Sequence, residues 1–222
     1  MSACRDDLAW AIATIGSALA ARHGGEPGVA EVLARLGEQD ISAAAFAPPH
    51  PVRLAACRHL PEAIGEAVMT ASEVAAAIAA VEDSLAWRQN PNYSDVAMGQ
   101  PGYMHNYAYA ELIGPSGPFA GDDFLLGLFL LGPGLHYPDH CHRAPELYWV
   151  LTEGSAWRCG DGHFAPRRAD QTIWHASGVS HATNTGHGPL LALYAWTRDT
   201  GAFAQLSRRG SPRCETPGAS CP

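Results

Sequence analysis

Apolar and polar positions alternate in two different rhythms along this chain, and the change falls near residue 90. Residues 1–90 are rich in Ala and Leu at helical spacing and are punctuated as helices are. Asp6 or Asp7 is placed to cap a helix running to about Arg22, and Gly24–Gly25 would stop it. Pro27 is placed to open a second helix reaching Leu36, and Pro61 a third. Thr70-Ala71-Ser72-Glu73 has the form of a capping box, and it predicts a fourth helix over Val74–Trp87.

Asn90–Gly102, with its Pro, Asn, Gly and Ser, reads as a connection. Beyond it come short β-type runs separated by Gly and Pro: Met104–Ile113, Phe124–Leu131, Leu147–Leu151, Ser155–Cys159, Gln171–Trp174, His181–Asn184 and Leu190–Thr197. Many short strands at close spacing predict a sandwich or small barrel. The expected organisation is therefore an α-helical region over 1–90, a β-barrel over 91–206, and a poorly ordered tail over 207–222.

Composition narrows the chemistry. The 222 residues carry a formal charge of −8, and all 14 basic residues are Arg. Without a lysine, neither Schiff-base chemistry on a lysine nor a phosphate-loop lysine is available. An acidic, Lys-free chain is a poor partner for nucleic acid or an anionic membrane surface. No apolar run reaches the roughly 18–20 residues that span a bilayer. Leu8–Ala21 is apolar enough to suggest a leader, but Asp6 and Asp7 stand where positive charge is required, so it reads as mature helix. The six cysteines are scattered without a C-x-x-C and are expected to be free thiols in a cytoplasmic protein. The acidic helical half lacks a basic recognition face and reads as a packing layer or a surface pairing subunits into a homo-oligomer.

Most of the chemical information sits in residues 134–148, GLHYPDHCHRAPELY. His140 and His142 are two apart, so on a strand both rings project from one face. Glu146 follows four later, past Pro145, and His181 follows a Gly-containing turn. Three imidazoles and a carboxylate suit a divalent transition metal, and Zn, Fe(II), Mn, Ni and Co are all admissible. His136 and His175 lie close in sequence and are weaker candidates for the same site. Cys141, between the two histidines, should point away from them. Tyr148 shares the strand face of Glu146, where a cation would favour its phenolate.

Gly134-x5-His140-x-His142-x3-Glu146 resembles the first motif of the cupin superfamily, and Gly178-x2-His181 resembles part of the second. The pattern departs from the superfamily in its turns. Gly154 comes one residue late, Ala176 stands where a proline is usual, and Asn184 follows His181 one residue early. The resemblance implies a cupin double-stranded β-barrel of jelly-roll type over about residues 100–200, preceded here by helices.

More narrowly, Tyr137-Pro-Asp-His140-Cys-His142-Arg-Ala-Pro-Glu146-Leu-Tyr148 is similar to the bacterial dimethylsulfoniopropionate lyases of the cupin type. That resemblance implies a carbon–sulfur lyase that releases dimethyl sulfide and acrylate. It implies His140, His142, Glu146 and His181 as metal ligands and Tyr148 as the general base. A sulfonium is a fixed cation that aromatic faces can hold, and Tyr137, Trp174 and Tyr194 are the expected substrate contacts. Trp149 should face away from Tyr148 by strand alternation. Two other functions share these residues, an Fe(II)-dependent cupin dioxygenase and a non-catalytic cupin that binds a small ligand.

Overall fold

The computed structural model describes residues 5–207; the expected tail, apart from Ser207, lies outside the described residues. The helices are α1 (Arg5–His23), α2 (Val29–Gly37), α3 (Leu60–Ala67), α4 (Ser72–Val81) and a short α5 (Asp95–Met98). Ten strands follow: β1 (Tyr107–Ile113), β2 (Leu125–Leu131), β3 (His136–Cys141), β4 (Glu146–Val150), β5 (Ser155–Cys159), β6 (Ala165–Arg167), β7 (Gln171–His175), β8 (His181–Asn184), β9 (Leu190–Trp196) and β10 (Gln205–Leu206). They form two five-stranded antiparallel sheets, ordered β1-β2-β9-β4-β7 and β10-β3-β8-β5-β6. This is the expected cupin arrangement of two facing sheets with helices before them. No helix among the described residues is long and apolar enough to cross a membrane.

The first sheet is buried on both faces, which is why β2 (LLGLFLL) and β9 (LLALYAW) read as unbroken apolar runs. Leu126, Leu128, Leu130, Leu191, Leu193 and Trp149 join one core with α1 and α4, while Phe129, Tyr148, Tyr194 and Trp196 turn to the barrel interior. Each of those leucines withdrawn from water contributes about 1.5–3 kcal/mol. The helical layer is thus seated on the outer face of the sheet that carries Glu146 and Tyr148.

Helix boundaries differ from the sequence expectation where tertiary partners intervene. The capping box does not form: Ala71 is the N-cap, without a side-chain cap, and the Thr70 hydroxyl donates to the Ala67 carbonyl at 3.4 Å. Glu73 instead pairs with Arg22 at 2.9 Å and ties α4 to α1. The fourth helix stops at Val81 and not at Trp87, because Arg88 exchanges backbone hydrogen bonds with Tyr109 on β1. Pro27 does not open α2. The helix starts at Val29 after Gly28, whose φ of 79° and close approach to the Trp174 ring both call for glycine. Strands β3, β6 and β10 were not among the expected runs, although the reading of His140 and His142 on a strand anticipates β3.

A candidate metal centre beside an aromatic cavity

The ligand cluster is assembled from both sheets. His140 is the last residue but one of β3, His142 follows that strand, and His181 opens β8 in register with His140. Glu146 opens β4 on the facing sheet. The three imidazoles are buried and offer ring nitrogens within 4.8 Å of one another. Glu146 Oε2 lies 3.0 Å from His142 Nε2 and 3.1 Å from His181 Nε2. Its Oε1 accepts from Trp196 Nε1 at 2.8 Å.

The backbone sets the tautomers. His140 Nδ1 faces the Pro138 carbonyl at 2.9 Å, His142 Nδ1 the Ala144 carbonyl at 2.8 Å, and His181 Nδ1 the Val179 carbonyl at 3.0 Å. Each carbonyl belongs to a residue two positions away, and each claims the Nδ1 proton. That leaves every Nε2 with a lone pair directed inward. His181 Nε2 makes no aligned hydrogen bond despite its closeness to Glu146. Lone pairs facing a carboxylate inside a dry site require a cation between them, either a second proton on an imidazole or a metal ion. This outer ring of backbone acceptors is the usual support of metal-binding histidines, so the residues fit a divalent cation.

The electrostatics agree with that assignment. Burial works to raise the Glu146 carboxyl, but His142 and His181 hold it well below the usual carboxylate range. Burial, followed by the neighbouring His181, pushes His140 well below the usual imidazole value and keeps it neutral. A metal needs these forms: ionised carboxylate and neutral imidazole.

Beside the cluster lies a cavity of about 150 Å³, with His140, His142, Glu146, Tyr148, Tyr137, Tyr194, Trp196 and Phe129 in its wall. Tyr148 sits on the inner face two residues after Glu146, with its ring 6.4 Å from those of His181 and Tyr194. Burial first, and then Glu146, raises the Tyr148 hydroxyl well above the usual tyrosine value. Tyr137 stacks on His140 at 3.9 Å, and its hydroxyl meets that of Tyr93 at 3.0 Å.

Not every expected residue reaches this place. Trp174 does not line the cavity. It is opposite Leu147 on the outer face of the first sheet and packs over Gly28. Alternation along β7 turns Ile173 and His175 inward and therefore Trp174 outward. Trp149 faces out as expected, its indole nitrogen donating to Asp170. His175 is buried and stacked on His181 at 4.1 Å, while His136 turns to Asn184. Cys141 is disulfide-bonded, whereas Cys57 and Cys159 are free. The expectation of free thiols therefore fails at Cys141.

The residues that sequence reading passed over are those from outside the motif. Tyr93 comes from the Asn90–Gly102 connection, Tyr107, Tyr109 and Glu111 come from β1, and Trp196 orients Glu146 from β9. The spacing Tyr107-x-Tyr109-x-Glu111 on one strand face was the available signal.

The family model described as dimethylsulfoniopropionate lyase matches residues 29–192. The chain belongs to that family. Dimethylsulfoniopropionate lyase DddQ of Ruegeria pomeroyi is 39% identical over 99 residues, which are 44% of this chain and 48% of that protein. The chain spans about half the length of the curated relatives it matches. The crystal structure of DMSP lyase DddQ from Ruegeria pomeroyi DSS-3 superimposes with a TM-score of 0.69 at 26% identity, covering 89% of this chain and 96% of that one. The family's match begins at the first residue of α2 and ends within β9, so it includes helices α2 to α5 and the barrel strands from β1 into β9.

Proposed function

We propose that this family member is a metal-dependent lyase that cleaves dimethylsulfoniopropionate into dimethyl sulfide and acrylate. The observation that carries the reading is the four-residue cluster His140, His142, His181 and Glu146, with Tyr148 on the same inner face beside an aromatic cavity. These four residues would hold one divalent transition metal. Such an ion supplies Lewis-acid polarisation of a substrate carboxylate, which acidifies the adjacent carbon–hydrogen bond.

Tyr148 is the base in this scheme. Its hydroxyl keeps its proton in the metal-free arrangement because burial and Glu146 both oppose the phenolate; a cation held at the histidines acts in the opposite direction. The phenolate oxygen takes the proton α to the carboxylate. The electron pair of that C–H bond forms the new C=C bond, the Cβ–S bond breaks, and its pair leaves on sulfur as neutral dimethyl sulfide. No electrons are exchanged with an outside oxidant. Tyr137 and Tyr194 line the cavity that would take the departing group, and Trp174 is not in its wall.

The test is headspace gas chromatography of purified protein mixed with dimethylsulfoniopropionate under argon, with and without chelator and with each metal restored. Metal-dependent dimethyl sulfide matched by acrylate is the expected result. Argon removes any oxygenase turnover. Folded, metal-loaded protein that releases no dimethyl sulfide would refute the proposal.

A further inference from the structure

One carboxylate in the cavity wall is left unused by that scheme. Glu111 lies on β1, is only 8% exposed, and lines the same cavity as the histidine cluster. Alternation along β1 turns Tyr107, Tyr109 and Glu111 to one side, while Ala108, Ala110 and Leu112 join the outer core. The register then places Glu111 in a row across the first sheet: Glu111 opposite Gly127, Gly127 opposite Tyr194, and Tyr194 opposite Tyr148.

Gly127 has a definite part in that row. A Cβ at this position would come within 2.4 Å of the Ala110 carbonyl oxygen and 2.6 Å of the Tyr194 ring, so only glycine lets that ring lie across the strand toward Glu111. The rings of Tyr109 and Tyr194 stand at 88° with centroids 6.3 Å apart and form a corner beside the carboxylate. Two tyrosine faces at right angles and a buried carboxylate make a recess suited to an onium group that carries no hydrogen-bond donor. His140 and His142 line the same cavity, and a carboxylate-binding cation belongs there.

We propose that Glu111, with Tyr109 and Tyr194, selects substrates by the positive charge of their onium head. This rests on the reading of the cavity as a substrate site and adds the residue that recognises the cationic end. Glu111 also accepts the Ser116 backbone N–H at 2.7 Å, so it holds the loop after β1. Burial raises the Glu111 carboxyl above its usual value, while the Ser116 N–H and exposed Arg88 act in the opposite direction and favour its charge.

The experiment must separate the charge of Glu111 from its hold on the loop, and must not depend on turnover. Glu111→Gln retains an acceptor for Ser116 and removes only the charge. The ligand pair is 3-(trimethylammonio)propionate and its carbon isostere 4,4-dimethylpentanoate, which differ in charge and hardly in shape. Affinity for each is measured by titration calorimetry on the metal-loaded protein, wild type and variant. Wild type is expected to prefer the ammonium ligand by about tenfold or more, and the variant to lose most of that preference while binding the isostere with the uncharged head as before. An equal loss for both ligands would assign Glu111 to the loop alone and overturn the proposal. So would an unchanged preference, or a wild type that does not distinguish the pair. Absence of dimethyl sulfide release would count against the lyase reaction without altering this ratio.

Discussion

Trp196→Phe removes one hydrogen bond and leaves the rest of the centre in place. The indole N–H donates to Glu146 Oε1 at 2.8 Å, and the ring stacks on His142 with centroids 4.4 Å apart. Phenylalanine keeps an aromatic face against His142 but offers no donor. A hydrogen bond to a buried charged group contributes about 1.5–3 kcal/mol, which corresponds to about a tenfold to hundredfold change in an equilibrium constant. If Glu146 presents Oε2 to a metal while Trp196 holds Oε1, metal affinity falls by that factor. Outer partners of metal ligands typically have effects of this size.

The sign with pH can be worked out as well. Loss of a donor to the carboxylate raises the Glu146 pKa from its depressed position, so the variant should lose metal at a higher pH than wild type as the solution is acidified. The assay is competition against a chromophoric chelator at several pH values, with circular dichroism to establish that the variant is folded. A folded variant whose metal dissociation constant stays within about twofold of wild type would refute the argument, because Glu146 would then not be a ligand held by Trp196.

Two further outcomes follow from the same geometry. Tyr148→Phe should fold and keep its metal but lose about 10²–10⁴-fold in dimethyl sulfide release; near-normal release from the variant would remove Tyr148 as the base. Gly28→Ala should lower stability by about 2–5 kcal/mol, since it places a side chain at φ 79° and a Cβ 2.1 Å from the Trp174 ring. A melting temperature within about a degree of wild type would show that Trp174 moves aside at no cost.

The candidate metal-binding motif was legible in the sequence because its chemistry is compressed into seven residues. H-x-H puts two rings on one strand face at a fixed distance, and Glu146 needs only a bend at Pro145 to face them. The apolar runs of β2 and β9 were equally legible, since burial on both faces leaves no polar interruption. Trp174 was misplaced because its neighbourhood in sequence says nothing of the parity of β7, which its pairing with β4 determines. The capping box at Thr70 was a sound local pattern, but Arg22, 51 residues away, takes Glu73 instead. Tyr93 carries no local pattern of its own, and the Tyr107-x-Tyr109-x-Glu111 spacing marks a strand face without saying what that face meets. Their relation to the histidines exists only across strands and through the connection, where residue spacing holds no information.

The two walls around the cluster are unequally supported. The wall with Glu146 and Tyr148 is clamped between the barrel interior and the helical layer, while the wall with His140 and His181 has exposed or half-exposed residues on β5, β6 and β10. A cation held by ligands from both walls would work as a rivet, joining the less supported wall to the one the helical layer backs. Ion occupancy should therefore register along the less supported wall, as slowed amide exchange in β5 and β8, with little change in β2 and β9. On that view the metal site is also the fastening that keeps the barrel shut.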